Sequence, residues 1–220
     1  MEIPMKPFLR SLIIWPLLAL IFPTQPAHAL PVGAPVRTLE EGQFSLSGSI
    51  GYTSLDIRNE DVKSKSFFFK GAFPAGNGIM PYVKLGFADL EAGSVQGSLD
   101  LAYGGGVLLD IFTQESGNGF RASLDAQIQW SESSESGTTL DVVESQLSLL
   151  GTVRSSGTNA YAGISSSFIN FDGGSSSGDE NGQGHLVFGV DYFMDYNFYF
   201  NAEAHLFGQD SLNVGVGYQF

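Results

Sequence analysis

Residues 212–220 read LNVGVGYQF and alternate without a break. Leu212, Val214, Val216, Tyr218 and Phe220 share one side of an extended chain, and Asn213, Gly215, Gly217 and Gln219 share the other. Side chains of a strand point alternately to opposite faces, so a period of two specifies a strand with one apolar and one polar face. A strand left at the edge of a sheet carries a row of unpaired backbone groups that invites other chains to pair with it. A closed cylinder removes that edge, because its last strand bonds to its first. The expectation is therefore a sheet that closes on itself. Its apolar face would meet lipid, and its aromatic end would sit at a membrane interface.

The other end of the chain agrees. Lys6 and Arg10 form a short basic region, residues 11–22 (SLIIWPLLALIF) are apolar, and Ala27, His28 and Ala29 give a small-x-small pattern. This is the three-part layout of a secretory leader, with cleavage expected before Leu30. The apolar run falls short of the roughly 20 residues a spanning helix needs, and Pro16 interrupts it. The chain has no Cys, which excludes a lipid-anchored Cys and a disulfide framework. No other stretch is long and apolar enough for a membrane helix. A mature chain in a membrane must then cross as a closed barrel, since backbone groups in lipid need internal partners.

Composition limits function. The formal charge is −13, and removing Glu2, Lys6 and Arg10 with the leader makes it about −14. Such a surface repels nucleic acid. Gly is abundant at 28 and Phe at 18, as suits strands with small lumen-facing and large lipid-facing side chains.

After a lead-in at 30–42, alternation marks ten strands: 43–57, 62–73, 80–90, 98–112, 120–131, 139–154, 160–171, 185–194, 198–207 and 212–220. Phe120, Ala122, Leu124, Ala126, Ile128 and Trp130 oppose Arg121, Ser123, Asp125, Gln127, Gln129 and Ser131 in the clearest of them. The strand at 160–171 has no clear phase. Loops are expected at 91–97, 131–138 and 172–184, with a turn at 113–119. The fold class is all-β, a transmembrane antiparallel up-and-down β-barrel of about ten strands, with eight as the alternative. Ten or eight, an even count returns both termini to the periplasmic side.

The ending resembles the C-terminal assembly signal of bacterial outer-membrane β-barrels, carried here by Leu212, Val214, Val216, Tyr218 and Phe220. The runs PYVKLGFADLE (81–91), LAYGGGVLLDI (101–111) and GVDYFMDYNFYFNAEAHLFG (189–208) are similar to small OmpA-like outer-membrane barrel domains. The resemblance implies an outer-membrane location. It also implies outer-membrane lipid, lipopolysaccharide and the barrel-assembly machinery as partners, and a monomer. Well-known members have eight strands, against ten here. The chain ends with the barrel, so a cell-wall tethering domain is not expected.

The one constellation of charged groups is inside the wall. Lys84, Asp100, Asp110, Arg121, Asp125, Glu144, Arg154, Asp191 and Glu203 all take the inward phase. A narrow barrel packs its lumen with side chains, and opposite charges there are expected to pair, because an unpaired buried charge is costly. The reading is a mostly plugged polar lumen in a non-catalytic envelope or surface-contact protein. A small-solute pore, an outer-membrane protease of the omptin type and a soluble lipocalin-like binding barrel are the alternatives. His185 and His205 fall near outer strand ends, and His205 with Asp210 is the only pair to set against a protease site. No catalytic residue, cofactor or metal site is assigned. Asp172, Asp179 and Glu180 offer hard oxygen ligands, but their spacing does not match a calcium-binding loop. Lys63 and Lys65 point outward near the outer rim, where lipopolysaccharide phosphates would lie.

Overall fold

The computed structural model describes residues 30–32, 39, 42–57, 60–89, 91–92, 95–96, 98–114, 119–135, 138–173, 176–195, 197–207 and 210–220. The expected leader, 1–29, lies outside them, as do 33–38 and 115–118. Ten strands build the wall: β1 (Ser45–Ile57), β2 (Glu60–Ala72), β3 (Ile79–Ala88), β4 (Asp100–Gln114), β5 (Phe120–Glu135), β6 (Thr138–Ser155), β7 (Thr158–Gly173), β8 (Ser176–Phe193), β9 (Phe198–Leu206) and β10 (Asp210–Gln219). Each runs antiparallel to the one before it. β10 returns to β1 in a continuous ladder from Ser45↔Gln219 to Ser54↔Asp210, which closes the cylinder. Both termini of the wall therefore open on one rim, the terminal rim. Between β3 and β4 two short pieces, Glu91–Ala92 and Val95–Gln96, form a small hairpin on the far rim, and the first of them pairs with β2.

The apolar phase faces outward on every strand but β7, whose two faces are mixed. Phe44, Ile128, Val214 and Tyr218 are all exposed, and Leu124 is half-buried on the same face. Outside the barrel only hydrocarbon can accept such a surface, which is the reverse of a lipocalin's arrangement. Aromatics gather in two girdles. Phe73, Phe112, Phe120, Tyr192 and Tyr218 ring the terminal end, and Tyr52, Phe87, Tyr103, Trp130 and Phe168 ring the other. Tyr103 stacks on Trp130 at 5.6 Å, as cross-strand neighbours in the ladder. Among the described residues no helix is long and apolar enough to cross a membrane.

Three expectations need correction. Residues 131–138 are not a loop, since β5 runs to Glu135 and pairs there with Thr138. Residues 172–184 are not a loop either, because β8 begins at Ser176 opposite Gly173, with an irregularity between Glu180 and Gln183. Ser, Gly and Asp read as turn formers, but beyond the lipid zone a ladder needs only a backbone partner, so no apolar period marks it. The turn at 113–119 is shorter than expected, as β4 extends to Gln114. Asp172, Asp179 and Glu180 lie on these extensions, with their side chains outside the described residues.

The structure also gives β7 its faces. Asn159, Tyr161, Ser165, Ser167 and Ile169 point in, while Ala160, Ala162, Ile164 and Phe168 point out. Large apolar residues on both sides and serines on both sides cancel the alternation. In β4 a register shift between Asp110 and Phe112 turns both Ile111 and Phe112 outward.

Candidate functional site

The lumen gathers five of the expected charged groups at depth. Lys84 on β3, Asp125 on β5, Glu144 on β6, Asp191 on β8 and Glu203 on β9 are all buried, at 5% exposure or less. Asp110 and Arg121 take the inward phase at the terminal rim, with Arg121 Nε 3.5 Å from Asp110 Oδ2. Asp100 and Arg154 do not join them. Asp100 begins β4 at the far rim, where its Oδ2 accepts from Ser98 Oγ at 2.6 Å and from the Ser134 N–H at 2.8 Å. Arg154 is exposed near the end of β6 and borders a rim cleft of about 330 Å³ with Thr158, Asn159, Phe193 and Asp195. Alternation fixes the face of a residue but not its height in the cylinder, so residues at strand ends leave the set.

The lumen's centre is occupied by the chain itself. Residues 30–32, expected as a lead-in outside the wall, lie inside it, with Leu30 2% and Val32 1% exposed. Five strands hold the backbone of this tripeptide. The Leu30 N–H donates to Gln146 Oε1 at 2.8 Å, and its carbonyl accepts from Gln146 Nε2 at 3.0 Å and Gln127 Nε2 at 3.4 Å. The Pro31 carbonyl accepts from Lys84 Nζ. The Val32 N–H donates to Glu203 Oε1 at 2.9 Å, and its carbonyl accepts from Lys70 Nζ at 2.7 Å. Every backbone polar group of the three residues thus has a side-chain partner, which is the condition for burying an extended segment that belongs to no sheet. Beside Pro31 the remaining space is about 30 Å³, roughly water-sized. Nearer the terminal rim Leu39 packs by Met80 and Leu108.

This arrangement answers the charge question differently from the expected pairing. The lysine amines go to carbonyls of the tripeptide, and Lys70 also sits 4.1 Å above the Tyr82 ring. The carboxylates accept tyrosine hydroxyls, Tyr82 to Asp125 at 2.8 Å and Tyr161 to Glu203 at 2.7 Å. Asn201 Nδ2 donates to Asp191 Oδ1 at 2.8 Å. Hydrogen bonds to ionised groups are stronger than neutral ones and satisfy a buried charge without an opposite charge in contact. Tyr161 and Tyr199 lie close against glycines. A Cβ on Gly189 would come within 2.0 Å of the Tyr161 ring, and one on Gly217 within 2.2 Å of the Tyr199 ring.

His185 and His205 were expected at the interface and lie in the lumen instead, 3% and 0% exposed, with ring centroids 5.0 Å apart. His205 Nε2 is 2.7 Å from Glu203 Oε1, while Asp210 is exposed at the start of β10. Lys63 and Lys65 do point outward, and Lys65 Nζ is 3.3 Å from Glu91 Oε1. In the terminal pattern, Leu212, Val214, Val216 and Tyr218 form the outward face of β10, and Phe220 follows directly after the strand. Phe220 stacks on Phe44 at 4.4 Å and 5°. Lys70, on the inner face of β2, is missing from the lumen charges expected from the sequence. Sequence reasoning missed residues 30–32 altogether, since a Pro-containing lead-in has no period to follow.

No family model matches the chain. No curated protein matches it either. Solved structures do. An outer membrane channel from Pseudomonas putida F1 matches with a TM-score of 0.51 at 9% identity, over 88% of this chain and 100% of that one. The translocator domain of the autotransporter NalP from Neisseria meningitidis matches at 0.45 and 13% identity, over 84% and 90%. The outer membrane protease OmpT from Escherichia coli matches at 0.44 and 10% identity, over 84% and 99%. The likeness to the channel is one of fold, and that fold is the outer-membrane β-barrel, the architecture the closed wall and its outward apolar face display.

Proposed function

We propose that the protein is a non-catalytic outer-membrane β-barrel, exported with a leader cleaved before Leu30, whose polar lumen is mostly plugged. Its role is in envelope structure or surface contact, and it works as a monomer. Lipid and lipopolysaccharide surround it, and the barrel-assembly machinery inserts it by the signal at residues 212–220. Kinship with small OmpA-like domains is part of this reading, with ten strands in place of eight. The observation that carries the plug is the tripeptide at 30–32, whose backbone is bonded by Lys70, Lys84, Gln127, Gln146 and Glu203 from five separate strands. Solute would have to displace it.

Purified barrel in a planar bilayer tests the plug: the expected trace is flat, and a steady open conductance would overturn it. Carbonate washing should leave the protein in the membrane pellet. The non-enzyme reading is supported by His205, which is fully buried against Glu203. Peptide or lipid cleavage by the purified protein that disappears in His205→Ala would reverse it.

One observation favours a second reading, a gated small-solute pore. The tripeptide is held by side chains and takes part in no strand ladder, so it would leave the lumen without unzipping the wall.

A further inference from the structure

The tripeptide has a direction, and it ends at an acid. Leu39 lies near the terminal rim, and Val32 and Leu30 lie buried within the cylinder. The lysines Lys70 and Lys84 meet its carbonyls at residues 31 and 32. At the Leu30 nitrogen the surroundings change sign. Gln146 Oε1 accepts the N–H at 2.8 Å. The carboxyl of Glu144, two residues along β6 on the same inward face, lies against the same N–H and the Ser167 hydroxyl.

Three lumen acids keep one buried carboxylate oxygen with no hydrogen-bond partner among the described residues: Asp125 Oδ2, Asp191 Oδ2 and Glu144 Oε1. Asp125 and Asp191 receive a tyrosine hydroxyl and an amide on the other oxygen, whereas Glu144 is the one of the three that lies against the Leu30 nitrogen. A carboxylate taken out of water and left short of donors is costly. A single amide N–H, already given to Gln146, does not meet that need.

The sequence supplies what is missing. The peptide bond on the far side of the Leu30 nitrogen follows Ala27, His28 and Ala29, the small-x-small pattern of a leader cleavage site. Hydrolysis there by a signal endopeptidase adds one water. Its oxygen goes to the Ala29 carbonyl, which leaves as a carboxylate. The Leu30 nitrogen gains a hydrogen and, as an α-amine at neutral pH, a further proton. One amide N–H becomes a cation with three donors.

We propose that the α-ammonium group freed at Leu30 is bound inside the barrel by the Glu144 carboxylate and Gln146 Oε1, and that this ion pair locks residues 30–32 in the lumen. Glu144 and Gln146 are then a binding site for the chain's own processed end. A precursor, with an amide at this position, lacks the charge that holds it. The inference rests on the reading that a leader is cleaved before Leu30.

The test uses the full chain, exported and assembled, then extracted in mild detergent. N-terminal sequencing comes first, and should read Leu-Pro-Val. The folded barrel and a urea-unfolded sample are then exposed at neutral pH to an N-hydroxysuccinimide ester, and labelling of the N-terminal peptide is followed by mass. The expected rate in the folded wild type is lower by about tenfold or more. Glu144→Gln, which keeps the shape and removes the charge, should restore most of that rate and let transient current through a bilayer. A start other than Leu30 overturns the cleavage reading and the inference with it. A start at Leu30 with equal labelling in folded and unfolded protein overturns the inference alone. Protection unchanged in Glu144→Gln overturns the ion pair. If that variant does not assemble, the wild-type contrast still decides whether the amine is inside.

Discussion

Glu203 on β9 accepts the N–H of Val32 at 2.9 Å, although 171 positions separate the two residues in the chain. The same carboxylate takes the Tyr161 hydroxyl at 2.7 Å and lies 2.7 Å from His205 Nε2. Truncation in Glu203→Ala would leave three buried groups without their acceptor, at about 1–3 kcal/mol for each one left unsatisfied. The expected outcome is a lower urea midpoint for unfolding in detergent, followed by the shift between folded and unfolded bands on unheated gels. Bilayer current should appear in the same variant.

Gly217→Ala is expected to damage the seam from inside. The new Cβ would fall 2.2 Å from the Tyr199 ring, which must rotate away and give up its 3.1 Å bond to Ser45 Oγ on the first strand. Overpacking of this kind costs about 1–3 kcal/mol. Tyr199→Ala combined with Gly217→Ala should cost less than the sum of the two single changes, and a double-mutant cycle of urea midpoints reads the difference.

The stacked rings of Phe44 and Phe220 seal the terminal rim of that seam, next to a backbone pair in which Phe220 N–H donates to the Phe44 carbonyl at 2.8 Å. An aromatic pair contributes about 0.5–1.5 kcal/mol beyond its buried area. Phe220→Ala should lower the yield of folded barrel more than it lowers the stability of barrel already formed. Comparing heat-shifted band intensity in new membranes with the unfolding midpoint of purified protein separates the two effects.

Val214 points outward from the middle of β10, between Ile50 and Ala202 on the neighbouring strands. Arginine on a lipid face near the bilayer midplane costs about 2–4 kcal/mol. Val214→Arg should therefore refold poorly into vesicles. Gln219→Arg, at the terminal rim on the inward phase, should cost much less. Vesicle refolding yields for the pair check the assigned faces.

The turn between β8 and β9 gives a pH dependence. Asp195 Oδ1 accepts the N–H groups of Asn197 and Phe198 at 2.8 and 2.6 Å, and these bonds hold its carboxyl below the usual carboxylate range. A depressed folded value contributes stability above the unfolded value, and the contribution is lost as pH falls through the folded one. Amide exchange at Phe198 should be faster in Asp195→Ala than in wild type at neutral pH, with the gap closing below about pH 4.

Where one face of a strand is apolar and the other polar, the sequence is enough to read both. β5, β9 and β10 are such strands, from Phe120 against Arg121 to Tyr218 against Gln219. β7 is not, because Tyr161 and Ile169 point into the lumen while Ile164 and Phe168 meet lipid. The hairpin extensions at 131–138 and 172–184 escaped because their ladders need no apolar partner. Within the lumen, alternation picked out Lys84, Asp125, Glu144, Asp191 and Glu203, but it could not tell that Asp100 and Arg154 stand at the rims. Nor could it place residues 30–32, whose partners lie more than a hundred positions away and are recognised by side chains, without a repeating pattern.

The ladder that joins β1 to β10 sets an order of events. The first strand made is the last to gain its second neighbour, since Ser45 must wait for Gln219. Until then the growing wall is a curled ribbon with two sticky margins, exposed to every other such ribbon in transit. The unpaired backbone groups of both margins are satisfied only when the final strand arrives. The barrel's speed of maturation is then governed by that meeting of ends, however quickly the individual hairpins form.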